Sequence, residues 1–523
     1  MAEDVVNADT PPMSRAMSAL YLWPRNIQSR EVRAADSPSH WARYGVAALT
    51  ALAAALRLHA LAAKTFWHDE GFSAEIARLD FAGFAHLLWA REANMTLYYL
   101  ALRAWMHFGA SEAWVRGLSV LFGVAAIPLF YALGAAIASR RAGLIAATLG
   151  AVNACCVAYS QQARGYSLVM FLVSLSMLLL VKHVQSGGAR YGLLWAVASA
   201  LAVYTHFYAV LVIAAQCVSL ALVRPVECSF RTWLRAFRAL LYMLLPAIAF
   251  VVLHGAGAFN WLQRPAASYV LYFFTVFSGN DGLGLLAAYA VACVLAAWAA
   301  WRVWRAKGRS IESWQHAAMW LWFLFPICGC LVLSIWKPAF FIRYLLVSLP
   351  ALIILAAVGL EQLRRSVLVL AALLVVCGMS LQGVRSYYLR DFDLYRDDWR
   401  DAARVLLHDA QPGDAALIYV STGRMTYEYY RSLDARGLGP VVVYPAHQPG
   451  RLEYRDFLVE PLGESLEGLH LDAPRVWLVL DLTETPTGPD RTSVLLRNWC
   501  EAGHPHLLSD QKFPGIELLL LGR

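Results

Sequence analysis

The chain has 523 residues, of which 59% are hydrophobic and only 15% charged, with a formal net charge of +8 and a mean hydropathy of +0.50. A soluble globule carries about a quarter charged residues, so the composition excludes that class and points to a multi-span membrane protein. Charge is unevenly divided: residues 391–523 hold 13 Lys and Arg against 21 Asp and Glu, a net −8, whereas the residues before them hold a net +16.

Residues 1–43 are polar, contain Pro11, Pro12, Pro24 and Pro38, and lack the basic, apolar, small-residue pattern of a cleaved signal. They read as a cytoplasmic segment before an uncleaved first span. Apolar runs follow near 44–63, 117–138, 142–159, 166–182, 191–205, 208–223, 239–254, 284–304, 317–335, 343–360 and 366–384, most near the length that crosses a bilayer core. Basic residues fill alternate gaps: Arg140 and Arg141, then Lys182 and Arg190, then Arg224 to Arg238, then Arg302 to Arg309, then Arg364 and Arg365. Placing these inside predicts about eleven spans, an inner N-terminus and an outer tail. The same rule accounts for the basic excess without any nucleic-acid partner. Cysteines lie mainly in apolar runs, where they act as small hydrophobes, and no disulfide is expected in the tail.

The stretch "KTFWHDEGFSAEIARLD", residues 64–80, follows the first run. Residues 71–91 and "TLYYLALRAWMHF" read as helices lying at the outer membrane surface, because the parity of the spans leaves no room for a crossing and both are short. Glu75 and Asp80 suit the wet face of such a helix. The outer side also gathers "YSQQARGY" (159–166), "YTHFY" (204–208) and "WKPAFFIRY" (336–344). In the tail, "AALIYV", "VVVYP", "VWLVLDL" and "IELLLL" read as strands and "DDWRDAARVLL" and "TSVLLRNWCEA" as helices, giving a small α/β domain over 391–523. Gly423, in "STGRMTYEYY", reads as a turn residue.

Asp69 and Glu70 are the acids that stand out. Held at the interface by aromatic neighbours, a partly desolvated carboxylate gains basicity and suits a general base. Asp69 equally suits a helix N-cap, with Glu70 complementing the helix dipole; both readings can hold together. Arg164 and Arg343, each followed by an aromatic (Tyr166 and Tyr344), offer the fork that fits phosphate, although a single arginine there can simply snorkel. His206 offers polarisation, metal ligation or a buried hydrogen bond. Gln161 and Gln162 read as donors to a polar ligand.

Taken together, the acidic pair after span one, "SQQARGY", "YTH", a late Arg-Tyr and an outer C-terminal domain resemble the GT-C-type integral membrane glycosyltransferases. They are most similar to glycosyltransferase family 39, with its protein O-mannosyltransferases and lipid A aminoarabinose transferases. The resemblance covers roughly residues 44–400. It implies a polyprenyl-phosphate sugar donor and a hydroxyl acceptor (lipid, glycan or protein), transfer outside the cytoplasm, and a bacterial inner-membrane location. It implies Asp69 as catalytic base, Glu70 in support, and Arg164 and Arg343 on the leaving lipid phosphate. Where many members carry His-Pro-Pro or Lys-Pro-Pro, this chain has Asn94-Met95-Thr96, leaving Arg91 and Glu92 as substitutes in substrate recognition. No cofactor is expected: a divalent metal fits such folds, but the sequence offers no ligand set with convincing spacing. The competing class is a transporter or lipid flippase, which would more often show mid-membrane acids and internal repeats; neither is seen.

Overall fold

The computed structural model describes residues 40–90, 92–225, 230–255, 262–280, 282–363, 365–389, 397–420, 422–434, 436, 439–445, 471–481, 484–485 and 488–523. The chain divides into Met1–Gly45, of which residues 40–45 are described, and Val46–Arg523. The helices in chain order are α1 (His40–Leu58), α2 (His68–Arg78), α3 (Phe81–Ala90), α4 (Thr96–Met106), α5 (Glu112–Ile137), α6 (Arg140–Val152), α7 (Ala154–Ser160), α8 (Tyr166–Ser186), α9 (Ala189–Thr205) and α10 (Ala209–Leu222). Then come α11 (Phe230–His254), α12 (Ala267–Ser278), α13 (Gly282–Lys307), α14 (Ile311–Leu333), α15 (Leu349–Glu361), α16 (Ser366–Leu389), α17 (Trp399–Asp409), α18 (Gly423–Leu433) and α19 (Arg491–Gly503).

All eleven apolar runs become helices. Among the described residues, seven helical stretches are long and apolar enough to cross a membrane, and α6 with α7 makes an eighth if a bent pair is one span. The other three runs form α1, α9 and α10, which do not meet that measure. The chain is an integral membrane protein. Burial within the fold separates helices of similar hydropathy. The stretch Ile342–Glu361, which includes α15, is 89% buried and α8 78%, whereas α13 and α16 are each 28% buried. The former make the centre of the bundle and the latter present apolar side chains outward.

The 58° bend between α6 and α7 leaves helix-end carbonyls that need partners. Arg57, on α1 and fully buried, supplies them: its guanidinium donates to Gly150 O and Ala151 O at 3.1 Å each, and Nε to Ser160 Oγ at 3.2 Å. Asn153 caps α7 by accepting from Cys156 N. A lone arginine inside the first apolar run thus repairs a broken span.

The tail contains the expected α/β domain. Strands β1 (Ala415–Tyr419), β2 (Val441–Tyr444), β3 (Arg475–Asp481), β6 (His506–Phe513) and β7 (Ile516–Gly522) form one sheet in the order β2-β1-β3-β7-β6; β4 (Glu484–Thr485) and β5 (Gly488–Pro489) pair separately. β1 is parallel to β2 and β3, while β7 runs antiparallel to β3 and β6. Leu417, Leu478 and Leu519 face a core with Leu496 and Cys500 of α19. Ala416, Ile418 and Trp477 face the opposite way, into a core with Trp399 and Leu406 of α17 that is continuous with that of the membrane helices. Covering both faces explains why these strands read as unbroken apolar runs.

α2 is too short to cross, as expected, but it is covered by the tail. It packs on α18 of the tail, so closely that a Cβ at Gly71 would lie 2.3 Å from Thr426 Oγ1. Glu75, expected on a wet face, is mostly buried there, and burial pushes its carboxyl up to about 7, with Arg78 opposing and Glu428 adding. Gly423 is the first residue of α18 rather than a plain turn: a Cβ on it would strike the Trp399 ring.

Candidate active site

The segment between α1 and α2 is tied down from two sides. Arg116 of α5 donates to Leu61 O, Lys64 O and Thr65 O at 2.7–2.9 Å. Arg400 of α17 reaches Ala62 O and Lys64 O and pairs with Glu112. Tyr430 of α18 donates to Glu112 Oε1 and accepts from Phe66 N. Loop carbonyls without regular partners collect cations because each needs a donor once buried.

α2 then starts at His68, with extended Trp67 at the N-cap and no side-chain cap. The N-cap reading of Asp69 is therefore corrected. Asp69 and Glu70 are in the first turn, where negative charge complements the dipole, and their side chains are used elsewhere. Glu70 is fully buried and accepts from Arg116 Nε at 2.8 Å, Arg116 Nη2 at 2.7 Å and Ala163 N at 2.8 Å. Three donors hold this carboxylate. It also holds the backbone immediately before Arg164.

Asp69 is different. Its side chain retains 22% exposure, and its Oδ2 lies 3.3 Å from Arg343 Nη1 and 3.8 Å from Arg164 Nη2. Oδ1 is 3.5 Å from His68 Nε2. Burial raises its proton affinity, but Arg164, Arg343 and His68 outweigh it and hold the carboxyl down at about 2. Arg164 is braced by Ser73 Oγ at 3.2 Å and Tyr99 Oη at 3.3 Å, and its Nε has no hydrogen-bond partner among the described residues. Arg343 sits over the Trp67 ring at 5.1 Å and the Phe341 ring at 4.9 Å, contacts that favour a guanidinium over an ammonium.

Around this pair lies an aromatic wall. The His206 ring is 5.3 Å from Tyr344, 5.5 Å from Tyr208 and 6.2 Å from Tyr166. His206 is buried at the break between α9 and α10, where burial and then the two arginines hold it down at about 3. Its Nε2 and the Tyr166 hydroxyl have no partner among the described residues. Glu92 interacts electrostatically with both Arg164 and Asp69, and burial pushes it up to about 7 against the pull of Arg164.

Other expectations fare differently. Gln161 donates both amide protons to Arg57 O and His59 O at 2.8 Å, so it braces the end of α1 and is no free donor. Asn94 accepts from Phe207 N at 2.9 Å, tying the turn before α4 to the break at His206. Arg91 lies outside the described residues. Sequence reading missed Arg116, whose signal was an arginine in the first turns of an apolar helix. It also missed Asp397 and Asp481, which no spacing connects to His68. His68 Nδ1 is 3.0 Å from Asp397 Oδ2. Burial opposes the proton on His68, but Asp397 and Asp69 raise it to about 9.

No protein-family model and no curated protein matches this sequence. Solved structures do. ArnT from Cupriavidus metallidurans bound to undecaprenyl phosphate is 14% identical at a TM-score of 0.60, over 91% of this chain and 97% of that one. The same protein in the apo state gives a TM-score of 0.63 at 14% identity, over 92% and 98%. The archaeal oligosaccharyltransferase AglB from Archaeoglobus fulgidus, in complex with an inhibitory peptide and a dolichol-phosphate, gives 0.51 at 13% identity, over 85% of this chain and 69% of that one. The acidic loop after α1, the bent span and the C-terminal sheet domain are thus parts of a GT-C-type fold.

Proposed function

We propose that the chain transfers a sugar from a polyprenyl-phosphate donor to a hydroxyl acceptor at the outer face of the membrane. The observation that carries this reading is the unsaturated carboxylate of Asp69 between Arg164 and Arg343, on a fold shared with proteins that bind undecaprenyl phosphate and dolichol phosphate. A flippase reading gains nothing from this arrangement.

The geometry supports an exchange of partners. Both arginines rest on one oxygen of Asp69, at distances that are loose for an ion pair. A donor phosphate offers them a better-matched, bidentate partner. Their transfer to the phosphate releases Asp69, whose basicity rises as the cations leave it. Asp69 then takes the proton of the acceptor hydroxyl. The acceptor oxygen attacks the anomeric carbon, the bond from that carbon to the phosphate oxygen breaks, and the polyprenyl phosphate departs as an anion. Arginine charge stabilises it without a proton. His206, Tyr166 and Tyr344 line the side where the sugar would sit. Glu70 keeps Arg164 in place throughout.

In this reading the donor is a hexose or pentose carried on a bacterial polyprenyl phosphate, and the acceptor a lipid, glycan or protein. Residues 44–390 carry the reaction and residues 391–523 form an outer domain. A cytoplasm-only reporter fused after residue 390 should be silent; an active one would reverse the orientation. The direct test is purified protein in lipid nanodiscs with polyprenyl-phosphate hexoses and pentoses. Release of polyprenyl phosphate with glycosylation of an acceptor is expected. Movement of the intact donor across a proteoliposome bilayer, with no such release, would replace this reading by transport.

A further inference from the structure

Three residues from distant parts of the chain meet beside Asp69. His68 opens α2, Asp397 lies two residues before α17, and Asp481 ends β3. One ligand atom of each lies within 4.8 Å of the others, and His68 Nδ1 is 3.0 Å from Asp397 Oδ2. Asp397 is 0% and Asp481 1% exposed. Trp399 Nε1 donates to Asp481 Oδ2 at 3.3 Å, but Oδ1 of Asp481 and Oδ1 of Asp397 both have no hydrogen-bond partner among the described residues. The two carboxyls lie against each other, and burial together with Asp397 holds the Asp481 carboxyl well above the usual carboxylate range; a cation that joined both acids would replace the proton they hold. Gly515 borders the same place: at φ +74 it is left-handed, and a Cβ there would lie 2.6 Å from Asp397 Oδ1. The glycine keeps a side chain off the orphaned oxygen.

We propose that His68, Asp397 and Asp481 bind one divalent cation of the zinc or manganese kind, which fastens the C-terminal domain to the first outer loop. One imidazole nitrogen and two carboxylates suit these ions, whereas magnesium and calcium take oxygen ligands. A divalent charge balances the two carboxylates and leaves the imidazole neutral. The second ring nitrogen fits as well. Histidines that ligate metals usually donate their other N–H to a carboxylate, which fixes the tautomer, and His68 Nε2 lies 3.5 Å from Asp69 Oδ1. The cation would therefore reach the candidate base through a single ring, and hold α2, α17 and β3 at one point. Because the ligands come from separate elements, binding adds to the stability of their assembly.

The site is independent of the transferase reading, and so is its test. Full-length protein in nanodiscs is stripped with a chelator and titrated by calorimetry with Zn2+ and, separately, with Mn2+. One equivalent of at least one ion should bind and raise the melting temperature. Asp481→Asn and Asp397→Asn, which keep the volume, should weaken binding by about 10²-fold or more, at least the scale on which even outer partners of a metal site act. They should also lose the cation-dependent rise in melting temperature. Absence of stoichiometric binding by the wild-type protein would overturn the proposal, a result that does not depend on either variant folding. So would undiminished binding by both variants, which would put the ion elsewhere.

Discussion

Asp69 and Glu70 are adjacent in sequence and share the first turn of one helix, yet they sit in opposite surroundings. Glu70 is closed in, with Arg116 bidentate and Ala163 N as a third donor. Asp69 is held loosely by two arginines that reach one oxygen at 3.3 and 3.8 Å, and keeps a solvent-facing edge. A closed-in buried pair holds structure. A loose pair with cations to spare can exchange partners when an anion arrives. The difference comes from direction on the helix: neighbours are about 100° apart at 3.6 residues per turn, so one acid points to Arg116 of α5 and the other to Arg164 and Arg343.

The comparison is broken most severely through Glu70. Glu70→Gln leaves the Arg116 charge buried without its partner, and should destabilise the protein by about 3–5 kcal/mol, the usual consequence of halving a buried ion pair. Thermal unfolding in detergent measures this, and an unchanged melting temperature would remove Glu70 from its bracing role. Next come the arginines. Arg164→Ala and Arg343→Ala should each weaken binding of polyprenyl phosphate about 10- to 100-fold, the scale of one charged hydrogen bond, with little loss of stability. Lysine at either position should restore part of the affinity, since it keeps the charge but loses the planar fork. Equilibrium binding of labelled polyprenyl phosphate decides it.

The smallest effect concerns Glu92. Burial holds its carboxyl at about 7 against Arg164, so it is neutral in mild acid and an anion in mild base. The anion repels a phosphate held at Arg164, and donor binding should weaken a few-fold as pH rises through about 7. Glu92→Gln should flatten that dependence while leaving affinity at low pH unchanged. The stability linkage has the same sign. Glu92 and Glu75 both sit above the ordinary 4.5, near 7. Their contribution is full below about 4.5 and is lost as pH rises through about 7.

Much of this was legible in the sequence. Eleven apolar runs become helices, although α12 was not among them, four β-rich runs give β1, β2, β3 and β7, and Asp69, Arg164 and Arg343, which the sequence sets at span ends, lie together. What was not legible has physical causes. Hydropathy cannot tell a buried span from a lipid-facing one, because both are apolar: the Ile342–Glu361 stretch and α13 have the same mean hydropathy of 2.1, yet are 89% and 28% buried. The packing of α18 on α2 depends on shape at Gly71, and a single glycine carries no such message. β6 was missed because its alternating, largely exposed face lacks an apolar run. Gln161 reads as a substrate contact because a polar residue at a span end has two uses, and only its partners decide between them. His68, Asp397 and Asp481 come together through the tertiary fold, and no local pattern announces a ligand set of that kind.

The central claim is that Asp69, and not its neighbour, is the carboxylate that reacts. Asp69→Asn tests it most directly, read by single-turnover glycosyl transfer together with donor binding and melting temperature on the same preparation. Transfer should fall about 10²-fold or more, the scale of losing a general base. The melting temperature should stay near that of the wild type, and donor phosphate should bind at least as tightly, since the arginines no longer have Asp69 to hold them. Near wild-type transfer by Asp69→Asn would contradict the account and send the search for the base to Glu92.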